Sequence, residues 1–179
     1  MATRRLTMFT TRLCRTPCLS FVRHVQKSMM EVNGHDAHNT KRLVVEAARP
    51  GFIDTRFHIA AENLNRARTL HGGMISTLVD SVGSLAVASH GWFNTGISTD
   101  IHATFVKPGG MEGDTVRVTG EVVGMGKTLA YTRVELRHIE TNQLLAYGSH
   151  TKYIRMGRNS PKNLVFNESG EEVLQGVPP

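Results

Sequence analysis

The stretch His71-Gly72-Gly73-Met74-Ile75-Ser76-Thr77-Leu78-Val79-Asp80, continued without a break to Ala88, decides the fold of this chain. Between Arg68 and Asp100 the only Asp, Glu, Lys or Arg is Asp80. Met74, Leu78, Val82 and Leu85-Ala86 recur at spacings of three and four, the period of a helix. Ile75, Val79 and Val87 add apolar side chains on other faces, so this helix is predicted to be wrapped by the rest of the protein. A carboxylate on such a helix is costly to bury unless something pairs with it or uses it. From His71 to Ala88 the helix would run about 27 Å, comparable to the width of a sheet.

The segments on either side read as strands. Arg42 to Ala48 and Phe52 to Ile59, broken at Pro50-Gly51, suggest a hairpin. Ala60 to Leu70 is a loop carrying Asn63 and Asn65. After the helix, Gly91-Trp92-Phe93-Asn94 turns the chain back and Thr95 to Val106 ends at Pro108-Gly109-Gly110. From Asp114 to Val123, Val116, Val118 and Val122 alternate with Arg117, Thr119 and Glu121, the period of a half-buried antiparallel strand. Lys127 to His138 and Leu144 to Arg155 complete the series. Strand, strand, buried helix and four more strands predict an α+β domain, one antiparallel sheet curled around one long helix.

Composition narrows the function classes. The net charge of +6 belongs to residues 1–30, which hold Arg4, Arg5, Arg12, Arg15, Arg23 and Lys27 and no acid. Setting those six aside leaves 15 basic against 15 acidic residues, so a nucleic-acid role is not indicated. The acid-free, Arg-rich leader, with Leu6, Phe9, Leu13, Leu19, Phe21 and Val22 among its charges, matches a mitochondrial transit peptide and implies a matrix protein. Residues 31–40 read as a linker, 41–156 as the domain and 157–179 as a tail. Both cysteines, Cys14 and Cys18, lie in the leader, so the remainder has no disulfide, Cys-based metal site or thiol nucleophile. No stretch is apolar for long enough to span a bilayer as a helix.

Gly120-Glu-Val-Val-Gly-Met-Gly126-Lys127-Thr128 imitates a phosphate-binding loop, but five residues stand where four are required and it joins two strands. A different set carries a resemblance. Asn65-Arg-Ala-Arg-Thr-Leu-His71-Gly72-Gly73, the helix with Asp80, Thr99-Asp100, Lys107-Pro108, Gly126-Lys127-Thr128-Leu-Ala and His150-Thr151-Lys152 resemble the hotdog-fold acyl-CoA thioesterases. The similar branch is the one related to phenylacetate-pathway thioesterases, and the likeness covers about residues 40–155.

The resemblance implies hydrolysis of acyl-CoA to free acid and coenzyme A, with no metal or redox cofactor. Gly72 and Asn65 would polarise the thioester carbonyl at the helix N-terminus, where free N–H groups and the positive dipole end favour an oxyanion. Asp80 would come from a partner subunit as general base or nucleophile, and Ser98 would orient the water. His71, Gly73, Lys107, Pro108, Gly126, Lys127 and Thr128 would contact the substrate, and a homodimer or homotetramer is implied. Each residue also has a plainer reading. Asp80 could be a structural acid, His71 a cap, Gly72 and Gly73 turn residues, and Asn63 or Asn65 a loop cap. Ser98 could be an ordinary strand serine, and Lys107, Lys127 and Lys152 solvated charges. Tyr153 departs from the family pattern, and one residue is added between Asp114 and Lys127. An enoyl-thioester hydratase on the same fold and a non-catalytic acyl-CoA-binding or assembly protein are the alternative functions.

Overall fold

The structure, a computed structural model, describes residues 16–179. The expected leader residues 1–15, with four of its arginines and Cys14, lie outside the described residues. Helix α1 (Pro17–Glu31) is followed by the short α2 (His35–Asn39) and the hairpin β1 (Leu43–Arg49) and β2 (Phe52–His58). Then come α3 (Gly72–Ala88), β3 (Ile97–Phe105), β4 (Thr115–Met125), β5 (Leu129–His138) and β6 (Leu144–Tyr153), and a small hairpin of β7 (Val165–Phe166) and β8 (Val173–Gln175). The six long strands form one antiparallel sheet in the order β1-β2-β4-β5-β6-β3. The sheet wraps α3, as the spacing of apolar residues predicts: this is the hotdog arrangement.

The core is the layer between α3 and the inner sheet face. Leu78, Val79, Val82, Leu85 and Ala86 of α3 pack with Ile53, Phe57, Val116, Val118, Val134 and Leu136 of the strands. The approach is close. A Cβ at Gly83 would stand 2.7 Å from Thr132 Oγ1 and 2.8 Å from His150 Nδ1. One at Gly148 would stand 2.9 Å from the methyls of Val79 and closer still to the His102 carbonyl. These two glycines set how deeply the helix sits. The opposite sheet face mixes charged and apolar side chains, with Arg117 gripping Asp54 through Nε at 2.8 Å and Nη2 at 2.6 Å.

The structure revises the boundaries expected from composition. Residues 17–30, placed in the leader, belong to the folded body. Thr16 caps α1 by accepting from the Leu19 N–H at 3.1 Å, and Pro17 occupies the first helical position. Cys18, Leu19, Phe21, Val22 and Val25 are buried in the same core as α3. Alternating charge and apolar residues there describe one face of a packed helix, a pattern that amphipathic targeting segments share. The expected linker 31–40 contains α2, which docks on α3 through His35 Nε2 to Thr77 Oγ1 at 3.0 Å and Ser81 Oγ to Asp36 Oδ1 at 3.1 Å. The tail also packs: the Phe166 ring meets Phe21 edge-on at 5.8 Å, and the Leu164 N–H donates to the Gly91 carbonyl at 2.8 Å.

Candidate active site

A cleft of about 440 Å³ opens at the start of α3 and gathers four of the expected site residues, Asn65, Gly72, Lys107 and Pro108. Its apolar wall includes Leu70, Ile75 and Phe105. His71 is the N-cap, its Nδ1 accepting from the Gly73 N–H at 2.8 Å, so both residues serve the helix start. The Gly72 N–H has no intrahelical partner because it lies in the first turn. A Cβ on Gly72 would reach the Phe105 ring at 3.4 Å, so a side chain there would narrow the cleft. Asn65 Oδ1 accepts from the Ala67 N–H at 2.9 Å and the Thr69 N–H at 3.2 Å, while Nδ2 donates to Thr69 Oγ1 at 3.0 Å. A second N–H on that amide is left over. Asn63 is buried and structural: its Oδ1 accepts from the Ala60 N–H at 2.9 Å.

Asp80 follows eight residues along α3, about 12 Å from Gly72 at the helical rise. Within the single chain its side chain is 41% exposed, so the expected burial of this acid is corrected: the stripe of α3 that carries it opens to solvent beside β3. Ser98, from the start of β3, donates its hydroxyl to Asp80 Oδ1 at 3.2 Å. On its other side lies His150 of β6, with Nε2 2.9 Å from Ser98 Oγ and 3.4 Å from Asp80 Oδ1. His150 is fully buried under Gly83. Burial first, and the Lys152 charge second, push its pKa down to about 4, against the pull of Asp80. The ring is therefore neutral at pH 7, and its contact with Asp80 is not an ion pair. Nδ1 is buried without a partner, which is cheaper for a bare nitrogen than for an N–H. The proton then sits on Nε2, and the chain of donors runs His150 to Ser98 to Asp80.

The remaining expected residues lie elsewhere. Gly126, Lys127 and Thr128 form the exposed β4–β5 turn, where the Ile154 N–H donates to the Thr128 carbonyl at 2.8 Å. That turn is at the sheet end where Leu129, Tyr153 and Ile97 stand in register. Phe105 and the cleft are at the other end, in register with Ala146 and Leu136. Lys152 is no solvated charge: it is buried, and its Nζ donates to Ser84 Oγ at 2.8 Å. His150 and Lys152, quoted in the resemblance but given no role of their own, were legible in one respect. Period-two alternation puts them on the face of β6 that also carries the buried Ala146 and Gly148. Asp36, at the margin of this cluster, gave no sequence signal. Among the described residues no group of three or more His, Cys, Asp or Glu could hold a metal ion, and no helix is long and apolar enough to cross a membrane.

Residues 67–144 match the model of the thioesterase superfamily. The chain is 34% identical to mouse acyl-coenzyme A thioesterase 13 over 133 residues, 74% of this chain and 94% of that protein. It is 37% identical over 148 residues to a Schizosaccharomyces pombe protein that is named only as a candidate esterase, 83% of this chain and 91% of the other. The crystal structure of zebrafish thioesterase superfamily member 2 superposes with a TM-score of 0.70 at 30% identity, covering 75% of this chain and 96% of that one. With a sheet wrapped on α3, a cleft at the helix start and a hydrogen-bonded acid on the helix, this chain belongs to the thioesterase superfamily, a family of thioester hydrolases.

Proposed function

We propose that this protein hydrolyses acyl-CoA thioesters in sites built between two copies of the chain. The observation that carries the reading is the position of Asp80. Its carboxylate is open, is oriented by Ser98, and stands about 12 Å from Gly72 along the same helix, too far for both to act on one carbonyl. Pairing through β3 removes the difficulty. Among the described residues this strand is an unpaired edge with Ile97, Ile101 and Phe105 exposed, the kind of edge that natural sheets cover or pair. Antiparallel pairing of two β3 strands brings the Gly126–Thr128 end of one copy beside the Gly72 and Lys107 end of the other. It also turns Asp80 of the second copy toward the cleft.

In this arrangement Gly72 N–H and the Asn65 amide donate to the carbonyl oxygen, lowering the energy of the oxyanion. Asp80 of the second copy takes a proton from water as the water oxygen attacks the carbonyl carbon. The tetrahedral adduct collapses, the carbon–sulfur bond breaks, and the thiolate of coenzyme A leaves and takes up the proton. Lys107 of one copy and Lys127 of the other offer cations to the phosphates of coenzyme A. The name of the mouse relative, an acyl-coenzyme A thioesterase, supports this substrate class. The acid-free residues 1–15, with Arg4, Arg5, Arg12 and Arg15, support delivery to the mitochondrial matrix. Cleavage would fall upstream of Pro17, since removing α1 would strip Phe21, Val22 and Val25 from the core.

The test is thiol release by the full chain from hexanoyl-, palmitoyl- and phenylacetyl-CoA. Asp80→Asn should lower kcat by two decades or more with the fold intact. Absence of hydrolysis by the wild type would overturn the reading; hydration of crotonyl-CoA, or tight thioester binding without turnover, would put a hydratase or a binding protein in its place.

A further inference from the structure

Lys152 is 4% exposed in the layer between sheet and helix, and the hydrolytic steps above give it no task. A lysine is almost never fully buried unless it is paired. Its Nζ donates to Ser84 Oγ at 2.8 Å, leaving two of three N–H donors. Ser84 and Asp80 are four apart on α3 and therefore share a helix face. In the ladder of β3 and β6, Lys152 stands opposite Ser98. His150 precedes it by two residues, on the same face of the strand. The charged groups around the ammonium come from three elements. Burial lowers the Lys152 pKa, Asp80 of α3 and then Asp36 of α2 pull it back toward the charged form, and His150 of β6 feels the ammonium as a like charge. Asp100 of β3 acts on His150 from the outer side, and β5 brings only the neutral Thr132.

The geometry points to Lys152 as a positioning residue for hydrolysis: a cation buried behind Asp80 and bonded to Ser84, which adds to burial in keeping the His150 imidazole uncharged so that His150 donates to Ser98 and Ser98 to Asp80. The inference rests on the reading of Asp80 as the base. An imidazolium at His150, 3.4 Å from Asp80 Oδ1, would form an ion pair with the carboxylate and weaken it as a base toward water. A fixed positive charge nearby makes that state unfavourable. Asp36 supplies the second half of the device. It gives the ammonium a counter-charge that does no chemistry and offsets part of the burial that lowers the Lys152 pKa. The α2 segment, which lies in the stretch that composition marks as a linker, thereby becomes part of the catalytic apparatus.

The experiment uses the full chain labelled on histidine and lysine side chains and titrated by NMR, with His150→Gln and Lys152→Arg identifying the two signals. In Lys152→Met the His150 midpoint should rise by about one pH unit or more, and Lys152→Arg should hold it near the wild-type value. In Asp36→Asn the Lys152 midpoint should fall. Thiol release from hexanoyl-CoA gives the catalytic readout: the acid limb of kcat should move up in Lys152→Met, and the basic limb should move down in Asp36→Asn. A His150 midpoint indifferent to the loss of the Lys152 charge, or a Lys152 midpoint indifferent to Asp36, overturns the inference. Should Lys152→Met not fold, the Asp36→Asn titration decides. Absence of hydrolysis by the wild type strikes the proposed function and leaves the titrations to judge the charge coupling by themselves.

Discussion

The two edges of the sheet end in opposite ways. At β1 the chain covers its own edge: α1 lies along it, with Arg23 Nε and Nη2 donating to the Val45 carbonyl at 3.0 and 2.7 Å and Gln26 Nε2 donating to the Leu43 carbonyl at 2.9 Å. A bulge between Val45 and Ala47 further disturbs that edge. At β3 no described residue covers the strand. Ile97 is 58% and Phe105 55% exposed, and the acid centre opens beside them. A sheet edge that a protein closes with its own helix is a stability device, whereas an edge left bare next to an open carboxylate is where the proposed second copy would complete the site.

The contrast can be broken most severely at the closed edge. A chain beginning at residue 32, without α1, should lose cooperative unfolding altogether, because five buried core side chains and three edge caps go together; circular dichroism and calorimetry against a chain beginning at residue 16 would show it. At the open edge, Ile101→Lys should leave the monomer folded but abolish self-association and lower kcat by about two decades or more, since Asp80 would no longer meet its cleft. Sedimentation and thiol release measure both, and a fully active monomer would show that one chain suffices.

Beside the open edge, His150 links acidity to stability. Its pKa is about 4 in the fold, below the ordinary imidazole value, so the unfolded chain takes up that proton first as pH falls. Stability should therefore be present above about pH 6.5 and decline as pH drops from there toward 4. His150→Gln should flatten that part of the dependence in Tm measured against pH. The smallest effect is expected from Arg23→Ala at the closed edge: about 1 kcal/mol from the lost caps, read from the urea midpoint, with association unchanged. A large loss there would mean that the arginine is the main support of α1 and its apolar face is secondary.

The sequence alone determined the elements from β1 to β6, with α3 among them, and their order. The apolar spacing from Met74 to Val87 called for a helix wrapped by the rest of the chain, which holds except along the stripe of Asp80, and Val116, Val118 and Val122 called for a strand with one covered face. His71-Gly72-Gly73 and Asp80 were legible as candidates because residues of such chemistry stood out at a helix start or in an apolar run, whereas Asn65 became one only through the family resemblance. Tertiary structure decided the rest. Composition cannot distinguish a basic amphipathic helix that will be packed from one that is only an address, so the place of residues 17–31 in the core emerged only from the fold. The same limit applies to charge. Nothing in the local sequence says whether a lysine is solvated or buried, and Lys152 owes its place to Ser84, Asp36 and Asp80, which lie 68, 116 and 72 positions away along the chain. Periodicity reports which face a residue occupies, whereas the partners on that face are set by how distant segments pack against one another.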